Sequence, residues 1–468
     1  MTASRKTVGT IAVYLGTCMA TIAISIVTVA LPAIQKDFDA DITALQWIVG
    51  SYALCLSAFM LSAGPLGDRY GRRRVWLSGV AIFALGSALA TGAVTLPMLI
   101  AGCAVQGIAG ALVIPGALSI LTQTYRDAVQ RSRVIGGWAS VSAISLILGP
   151  FAGGILVDLF GWFSVFLINV PLGLVTLILG RIGIEESADP DHAAFDPAGQ
   201  LLSVIALGAL TLALTEAGRS GWDTMLALSA FVVAGLSFLA FLAVETRVAR
   251  PVLPVDLFRD RRFAAVNIAS FVLGFMGYSS LFFFSLFLQD AQQLSATQAG
   301  LRMAPVFLSM AVLASRFGRL SHRFGQFGPM VAGYALMGVA MLGMTGFAPD
   351  TSYVLLFALF LLLGVGMGLS VPATSAAVMT MTPRARTGAA SATLNTMRQS
   401  GMTIGIALLG SLMAGASARA LTLGRSAAEA TAEGFGVAVL WGGISAVAVS
   451  LFLIAAMRPS ARAQREQA

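Results

Sequence analysis

The sequence predicts an all-α integral membrane protein that crosses the bilayer as fourteen helices. Hydrophobic residues make up 57% and charged residues 11% of the 468 positions, whereas soluble domains carry about 25% charged residues. The apolar residues fall into stretches that are each about long enough to cross the hydrocarbon core as a helix. Of the 29 Lys and Arg residues, 23 lie in links predicted to face the cytoplasm. This distribution excludes a soluble enzyme, and it assigns the net charge of +8 to membrane orientation rather than to nucleic-acid binding.

The predicted spans place both termini in the cytoplasm. The stretch 8–31 is too long for the apolar part of a signal peptide, so we expect it to be the first span. An even number of spans agrees with Arg5 and Lys6 at one terminus and a basic tail at the other. Arginine greatly outnumbers lysine, which favours a bacterial source and therefore the bacterial cytoplasmic (inner) membrane. The predicted spans are 8–31, 44–63, 75–93, 97–121, 134–157, 161–182, 198–217, 224–244, 263–288, 296–316, 327–347, 352–378, 388–414 and 435–457.

A polar link, GPLGDRYGRRR, separates the second and third spans. Its glycines allow a sharp turn, and its arginines should face the cytoplasm. Composition alone would also fit an ordinary positive-inside loop, but the spacing G-x-L-x-D-R-x-G-R-R-R resembles the loop signature of the major facilitator superfamily. The resemblance implies a conformational switch that clamps the cytoplasmic face in the outward-closed state, with Asp68 meeting the positive start of a second-half helix and Arg72 meeting Asp127. The switch residues are Gly64, Gly67, Asp68, Arg69, Gly71, Arg72 and Asp127.

An internal repeat divides the chain into two similar halves. The segment GRLSHRFGQ at 318–326 is a degraded copy of GDRYGR, with His322 at the position of Asp68. Spans 4 and 12 share a Gly followed eight residues later by Pro, at Gly107–Pro115 and Gly364–Pro372. We expect the major facilitator fold, with two six-helix bundles and an inserted helix pair. Its parts are residues 8–182 (first bundle), 183–262 (linkers and spans 7 and 8), 263–457 (second bundle) and 458–468 (cytoplasmic tail).

Span 5 carries a second motif, G-P-x-x-G-G, formed by Gly149, Pro150, Gly153 and Gly154. The proline should kink the helix and the glycines should admit a neighbouring helix. Ordinary membrane packing would explain such residues too, but the full string resembles the motif of the superfamily's antiporters and favours export over uptake. Further strings, including Leu45-Gln46-Trp47 and Arg398-Gln399, resemble the fourteen-helix drug:proton antiporter family.

Two departures from that family concern proton coupling. Relatives usually have an acid, the expected proton carrier, at the position of Ala23, and an arginine that tunes it at the position of Cys103. Both are replaced here, so proton coupling through the usual pair is in doubt. Of the remaining acids, Glu216 and Asp290 are the best candidates for proton sites, although both lie near span ends, where carboxylates are more often solvated caps.

The resemblance implies a substrate cavity at the bilayer midplane between spans 1, 4, 9 and 12. Phe271, Phe275, Tyr278 and Phe282 follow the spacing i, i+4, i+7, i+11 and should share one helix face. The alternative is that these rings face lipid or pack, and that small hydroxyls bond their own helix carbonyls. The other polar candidates are Thr21, Ser25, Thr28, Gln106, Asn267, Asn395 and Gln399.

Arg398 lies about 15 Å into span 13 at about 1.5 Å per residue. An intramembrane charge is a functional-site candidate, although Arg398 could equally bind backbone carbonyls. We found no acid at matching depth, so the cavity should be neutral or positive and should favour neutral or anionic amphiphiles.

The function expected from these features is secondary active export of small hydrophobic or amphiphilic compounds by alternating access, which the family resemblance links to protons although the usual span-1 acid and span-4 arginine are missing. The alternative is an uncoupled facilitator or an exporter of lipids or anionic amphiphiles. An enzyme is not expected, because His192 and His322 lie on separate loops and no motif joins them to a nucleophile. We expect a monomer in the lipid bilayer without cofactor, metal or nucleic acid.

Overall fold

The computed structural model describes residues 3–125, 127–188, 196–248, 253, 255–382 and 386–457. The predicted tail 458–468, His192 and part of the predicted linkers lie outside these ranges. The regular elements within the ranges are helices, joined by short links.

Eight helices form the predicted first half. Their long apolar stretches without charged residues explain why they fold as helices in a bilayer, where backbone groups must be paired within the segment. They are α1 (Ala3–Ile26), α2 (Leu31–Phe38), α3 (Ile42–Tyr70), α4 (Arg72–Thr91), α5 (Leu96–Thr124), α6 (Ala128–Phe160), α7 (Ser164–Leu167) and α8 (Asn169–Gly183).

The remaining nine helices form the predicted inserted pair and the second half. The inserted pair is α9 (Pro197–Ser220) and α10 (Met225–Glu245). The second half comprises α11 (Arg261–Val272), α12 (Ser280–Leu286), α13 (Ala296–Phe324), α14 (Phe327–Gly343), α15 (Tyr353–Met381), α16 (Thr387–Thr422) and α17 (Ala427–Met457).

Twelve helical segments of the described chain are long and apolar enough to cross a membrane. Three of them join shorter pieces, such as Ser4–Phe38, which holds α1, a 3-10 turn and α2. The bent helix α6 counts as a thirteenth, and α14 is apolar but only 17 residues long. The many-span helical membrane protein is therefore confirmed, and the count of fourteen stays a prediction.

The predicted loop between spans 2 and 3 is almost entirely helical. Helix α3 continues to Tyr70 through Pro65, and the chain reverses at Gly71, whose φ of +99° favours glycine. Helix α13 also ends at a glycine with positive φ, because Gly325 has a φ of +70° before α14 begins. The two copies of the motif thus make the same helix–glycine–helix turn, which supports the internal repeat.

Helix α6 is bent by 41° between Leu146 and Leu148. Pro150 lies inside this helix and cannot donate a hydrogen bond to the carbonyl of residue 146. The kink predicted from the G-P-x-x-G-G motif therefore falls one turn before its proline.

Span 9 is not a continuous α-helix, which corrects the prediction of one aromatic face. Between α11 and α12 the backbone forms a π-helical turn, Leu273–Tyr278, and a second one, Phe287–Ala291, follows α12. A π turn holds more residues than an α turn, so the 3.6-residue phase is lost. Phe271, Phe275 and Tyr278 remain partly exposed, whereas Phe282 is 1% exposed and packs edge-on against Phe283.

Other rings of span 9 form the core of the second half. Phe287 stacks on Phe435 with ring centroids 4.6 Å apart, and Phe284 lies 4.8 Å from Phe360. These rings are buried, as the packing alternative for an aromatic-rich span predicts.

Helix α9, the first helix of the predicted inserted pair, bonds to both halves. Its Gln200 donates to the Ala58 carbonyl of α3 at 2.7 Å and accepts from Ser62. At its other end, the Ser411 hydroxyl of α16 donates to the Leu214 carbonyl at 2.7 Å. Its partner α10 is mostly exposed, as expected of a lipid-facing helix.

Candidate functional site

The two halves touch through the G-P-x-x-G-G motif at the end of the bundle that the charge distribution predicts to face outward, hereafter the predicted outer end. A Cβ added to Gly154 of α6 would lie 2.5 Å from the Ala296 carbonyl oxygen at the start of α13. In return, a Cβ on Gly300 of α13 would collide with the Pro150 carbonyl oxygen. Gly149 and Gly153 make similar close approaches to Ser25 and Ile26 of α1. The motif therefore brings α6 against both α1 and α13.

A carboxylate reinforces this contact. Asp158, near the end of α6, accepts a hydrogen bond from the Ser295 hydroxyl at 3.0 Å and another from the Thr297 backbone N–H at 2.9 Å. Ser295 is the N-cap of α13, so the negative charge lies at the positive end of the helix dipole. We call Asp158, Ser295 and Thr297 the outer clasp.

Spans 1 and 9 also meet at this end. The Ser285 hydroxyl donates to the Thr28 carbonyl at 2.6 Å, and Gln289 donates to the Val29 carbonyl at 3.1 Å. With the outer clasp, these contacts close the predicted outer end.

At the opposite, predicted inner end, the switch residues pair within the first half. Arg72 donates to Asp68 at 2.8 Å, one helical turn away, and Asp68 has no other bonded partner among the described residues. Asp127 does not meet Arg72, because it caps α6 by accepting from the Gln130 backbone N–H at 2.9 Å. The start of α4 is instead capped by Glu186, which accepts from the Arg73 and Arg74 backbone N–H groups. The predicted clamp on the second half is thus not formed in this conformation.

Tyr52 lies in the region where the chain departs from the family pattern, at Ala23 and Cys103. Ala23 and Cys103 are both buried, and Tyr52 of α3 lies close to Cys103. The Tyr52 hydroxyl donates to the Ala20 carbonyl of α1 at 2.7 Å, and its backbone carbonyl closely approaches Gly107 of α5. Neutral packing and one hydrogen bond thus connect spans 1, 2 and 4 where the family resemblance implies an ion pair. No pattern in the sequence predicts this role of Tyr52.

Most predicted polar cavity residues form local hydrogen bonds. Thr21, Ser25 and Thr28 donate to carbonyls of their own span, as the alternative reading of small hydroxyls predicts. The amides of Asn267 and Asn395 do the same, to the Phe263 and Ser391 carbonyls.

Two polar candidates differ from this group. Gln106 is buried inside the first bundle, where it donates to the Ser87 hydroxyl at 2.7 Å, so it connects spans 4 and 3. Gln399 is partly exposed, beside the partly exposed Arg398.

The structure brings Arg398 next to the π turn of span 9. A Cβ on Gly274 would overlap the Arg398 carbonyl oxygen, and a Cβ on Gly401 would overlap the Phe271 carbonyl oxygen. Phe271 and Phe275 stack with centroids 6.3 Å apart and an interplanar angle of 16°. Of the predicted cavity residues, Phe271, Phe275 and Arg398 are therefore brought together on adjoining stretches of backbone.

The two candidate proton sites lie away from this group. Glu216 accepts from the Ser220 hydroxyl at 2.6 Å near the predicted outer end of α9. Asp290 is partly exposed in the second π turn, at the predicted outer end of span 9. Their placement near span ends agrees with the sequence prediction, and their role stays a prediction.

Comparison with known proteins decides the family. Residues 13–406 match the family described as the Major Facilitator Superfamily. The chain belongs to this superfamily. The match covers the outer clasp, the switch residues and Arg398, so the geometry above is that of a major facilitator protein.

Curated relatives of this major facilitator protein carry names of drug and antibiotic resistance proteins. It is 33% identical over 86% of its length to the Methylenomycin A resistance protein of Bacillus subtilis, covering 86% of that protein. It is 34% identical to the Multidrug resistance protein Stp of Mycobacterium tuberculosis, again over 86% of this chain and over 75% of the relative. The Tetracenomycin C resistance and export protein of Streptomyces glaucescens is 33% identical, with 86% and 75% coverage.

Solved structures share the fold at low identity. A peptide transporter POT in complex with sulfate superposes with a TM-score of 0.68 at 16% identity, covering 96% of this chain and 94% of that one. An auto-inhibited POT family peptide transporter gives a TM-score of 0.70 at 15% identity, with 96% of each chain covered. These likenesses establish the fold alone.

Proposed function

We propose that this major facilitator protein is a secondary active exporter of small hydrophobic or amphiphilic compounds. Relatives named for drug resistance and export support the direction of transport. The G-P-x-x-G-G motif supports it as well, because it forms the contact between the two halves at the predicted outer end. That contact is the observation on which the proposal rests.

The chemistry of this contact supports alternating access. Backbone-to-backbone packing of glycines and a few hydrogen bonds join α6 to α13, so the two helices can part without unpairing a buried charge. The conformation with a closed outer end would accept substrate from the predicted inner side. Opening the outer clasp would release substrate outside, and Asp68 and Arg72 would then be available to clamp the inner face.

A dye-efflux assay tests the export proposal. Cells that make the protein should retain less of a neutral hydrophobic dye than cells that make Gly154→Val, whose Cβ would meet the Ala296 backbone and prevent closure. Immunoblots of the membrane fraction should show equal amounts of both proteins. Equal dye retention at equal abundance would contradict the proposal.

Energy coupling has two candidate forms. The family resemblance favours proton linkage, whereas the neutral Tyr52 contact between spans 1 and 2 favours an uncoupled facilitator. In proteoliposomes, an imposed pH gradient should drive dye accumulation if transport is proton-linked. A transport rate that does not change with the gradient would support the facilitator.

A further inference from the structure

The Arg398 guanidinium has unmet hydrogen-bonding capacity. Its Nε and Nη2 atoms are sealed from solvent and have no hydrogen-bond partner. Arg398 forms no ion pair or other bonded contact within the described part of the chain. A guanidinium does not lose its charge in proteins, so this positive charge persists inside span 13.

The charged and titratable neighbours of Arg398 do not balance its charge. Two tyrosines, Tyr278 of span 9 and Tyr334 of α14, lie within electrostatic range of each other, and Tyr334 is within range of Arg398. The Tyr334 hydroxyl donates to the Ala269 carbonyl, so its proton is already used. A phenol hydroxyl is neutral at physiological pH, so neither side chain supplies a countercharge. A charge that is partly shielded from water and has no compensation is costly, and the cost falls when an anion binds to it.

The backbone around Arg398 is held rigidly. Gly274 lies against the Arg398 carbonyl, and one turn further along α16 Gly401 lies against the Phe271 carbonyl. The π turn at Leu273–Tyr278 is part of this contact, and such turns recur at functional sites. Because both glycines leave no room for a side chain, α16 cannot slide along span 9 without losing the contact. This contact therefore sets the backbone position of Arg398 relative to span 9.

Two aromatic rings lie on the segment of span 9 that packs against α16. Phe271 and Phe275 stack on each other, remain partly exposed, and contact α16 through their backbone at Gly401. N–H donors on one segment and two aromatic rings on the adjoining one suit a molecule with an oxyanion at one end and an apolar ring system at the other.

We propose that Arg398 binds the carboxylate, sulfonate or phosphate group of an anionic amphiphile, whose apolar body lies against Phe271 and Phe275. This assignment rests on the proposed export function and names a substrate class for it. The guanidinium N–H groups donate to the oxyanion, which supplies the missing countercharge. Neutral compounds of the same shape bind the rings only.

Binding to the purified full-length protein in a neutral detergent tests the assignment. The probes are a fluorescent anilinonaphthalene sulfonate and its uncharged sulfonamide. The wild-type protein should bind the sulfonate about ten-fold or more tightly than the sulfonamide, as expected for a charge-assisted hydrogen bond. Arg398→Gln should abolish this preference and leave sulfonamide binding unchanged, and Arg398→Lys should retain part of it.

Arg302→Gln is the matched control, because it removes one arginine from the same half. Arg302 already has partners, with Nη1 3.1 Å from Gln292 Oε1 and its guanidinium 5.0 Å from the Tyr353 ring centroid. It should keep the wild-type preference for the sulfonate. Equal loss of preference in both variants, or equal binding of the two probes by the wild-type protein, would overturn the assignment.

Two further outcomes separate the possibilities. If Arg398→Gln weakens both probes equally, Arg398 has a structural role only and the assignment is wrong. Competition by phosphatidylglycerol would assign the oxyanion to a lipid headgroup, and its absence would assign it to a soluble amphiphile. Because binding is measured without transport, absence of dye efflux would defeat the export proposal and leave the anion site standing.

Discussion

Asp158 connects the halves of the protein through a single side chain. Its carboxylate belongs to α6 and caps the first turn of α13, so separation of these two helices would break both hydrogen bonds. A contact made in one conformation shifts the balance by its own free energy and no more. Asp158 is exposed, so we expect that free energy to be modest.

Asp158→Asn should therefore favour the outward-open conformation. Loss of a charge at a helix N-terminus costs about 1 kcal/mol or less, which lowers the closed-to-open ratio up to about five-fold. Labelling of a cysteine introduced near the outer clasp should become faster by a similar factor. Unchanged labelling would show that the clasp does not contribute to closure.

Neutralising both acidic candidates should leave export largely intact. Glu216 already accepts from Ser220, and Asp290 lies at the end of its span, so neither is placed beside Arg398 and the Phe271–Phe275 stack. We expect Glu216→Gln with Asp290→Asn to retain most dye efflux in the cell assay. Efflux abolished by either substitution alone would identify that residue as the proton site.

At the residue scale, the sequence showed where residues depart from the family pattern, but it did not show which residues contact one another. The absence of an acid at Ala23 and of an arginine at Cys103 was readable from the chain. The position of Tyr52 in this region was not predictable, because it depends on how three spans meet. The contacts of Asp158 were not predictable for the same reason, since its partners lie 137 and 139 residues away.

At the element scale, glycines decide which helices approach closely. Gly154 and Gly300 lie in the interface of α6 and α13, each against backbone of the other helix. Gly318 lies near the other end of α13 with no neighbouring atom within 4 Å of an added Cβ. The same substitution at these places should have very different effects.

Gly300→Ala should impair closure of the outer end, whereas Gly318→Ala should not. The added methyl group would collide with the Pro150 carbonyl, and overpacking of this kind costs about 1–3 kcal/mol. We expect slower dye efflux for Gly300→Ala at unchanged membrane abundance and wild-type efflux for Gly318→Ala. Equal rates in the two variants would contradict the assigned interface.

The helices themselves were predictable, but the interruptions of span 9 were not. Apolar stretches and the proline at 150 predicted where helices run and where α6 bends. The π turn at Leu273–Tyr278 coincides with the close approach of Gly274 to the Arg398 backbone, a contact between residues far apart in the chain. The i, i+4 spacing places residues on one face only in a continuous α-helix, so it did not predict the buried position of Phe282.

At the scale of the whole molecule, hydropathy and the motif resemblance predicted a many-span helical protein of the major facilitator superfamily. Both follow from local sequence, because each span must be apolar and each half repeats the same helix–glycine–helix turn at Gly71 and Gly325. The position of α9 between the halves was not predictable, since it is held by Gln200 and by Ser411 of another helix. The sequence also did not predict which end of the bundle is closed.

The distance between the halves at the predicted outer end is the most direct test of alternating access. Spin labels can be attached at Phe160→Cys of α6 and Leu301→Cys of α13, both of which replace exposed side chains, after Cys18, Cys55 and Cys103 are replaced by alanine. Double electron–electron resonance should give one short distance in the resting protein. A second, longer distance should appear with substrate and grow in the Asp158→Asn background. A single distance that stays the same in all three conditions, in protein that still exports dye, would contradict the account.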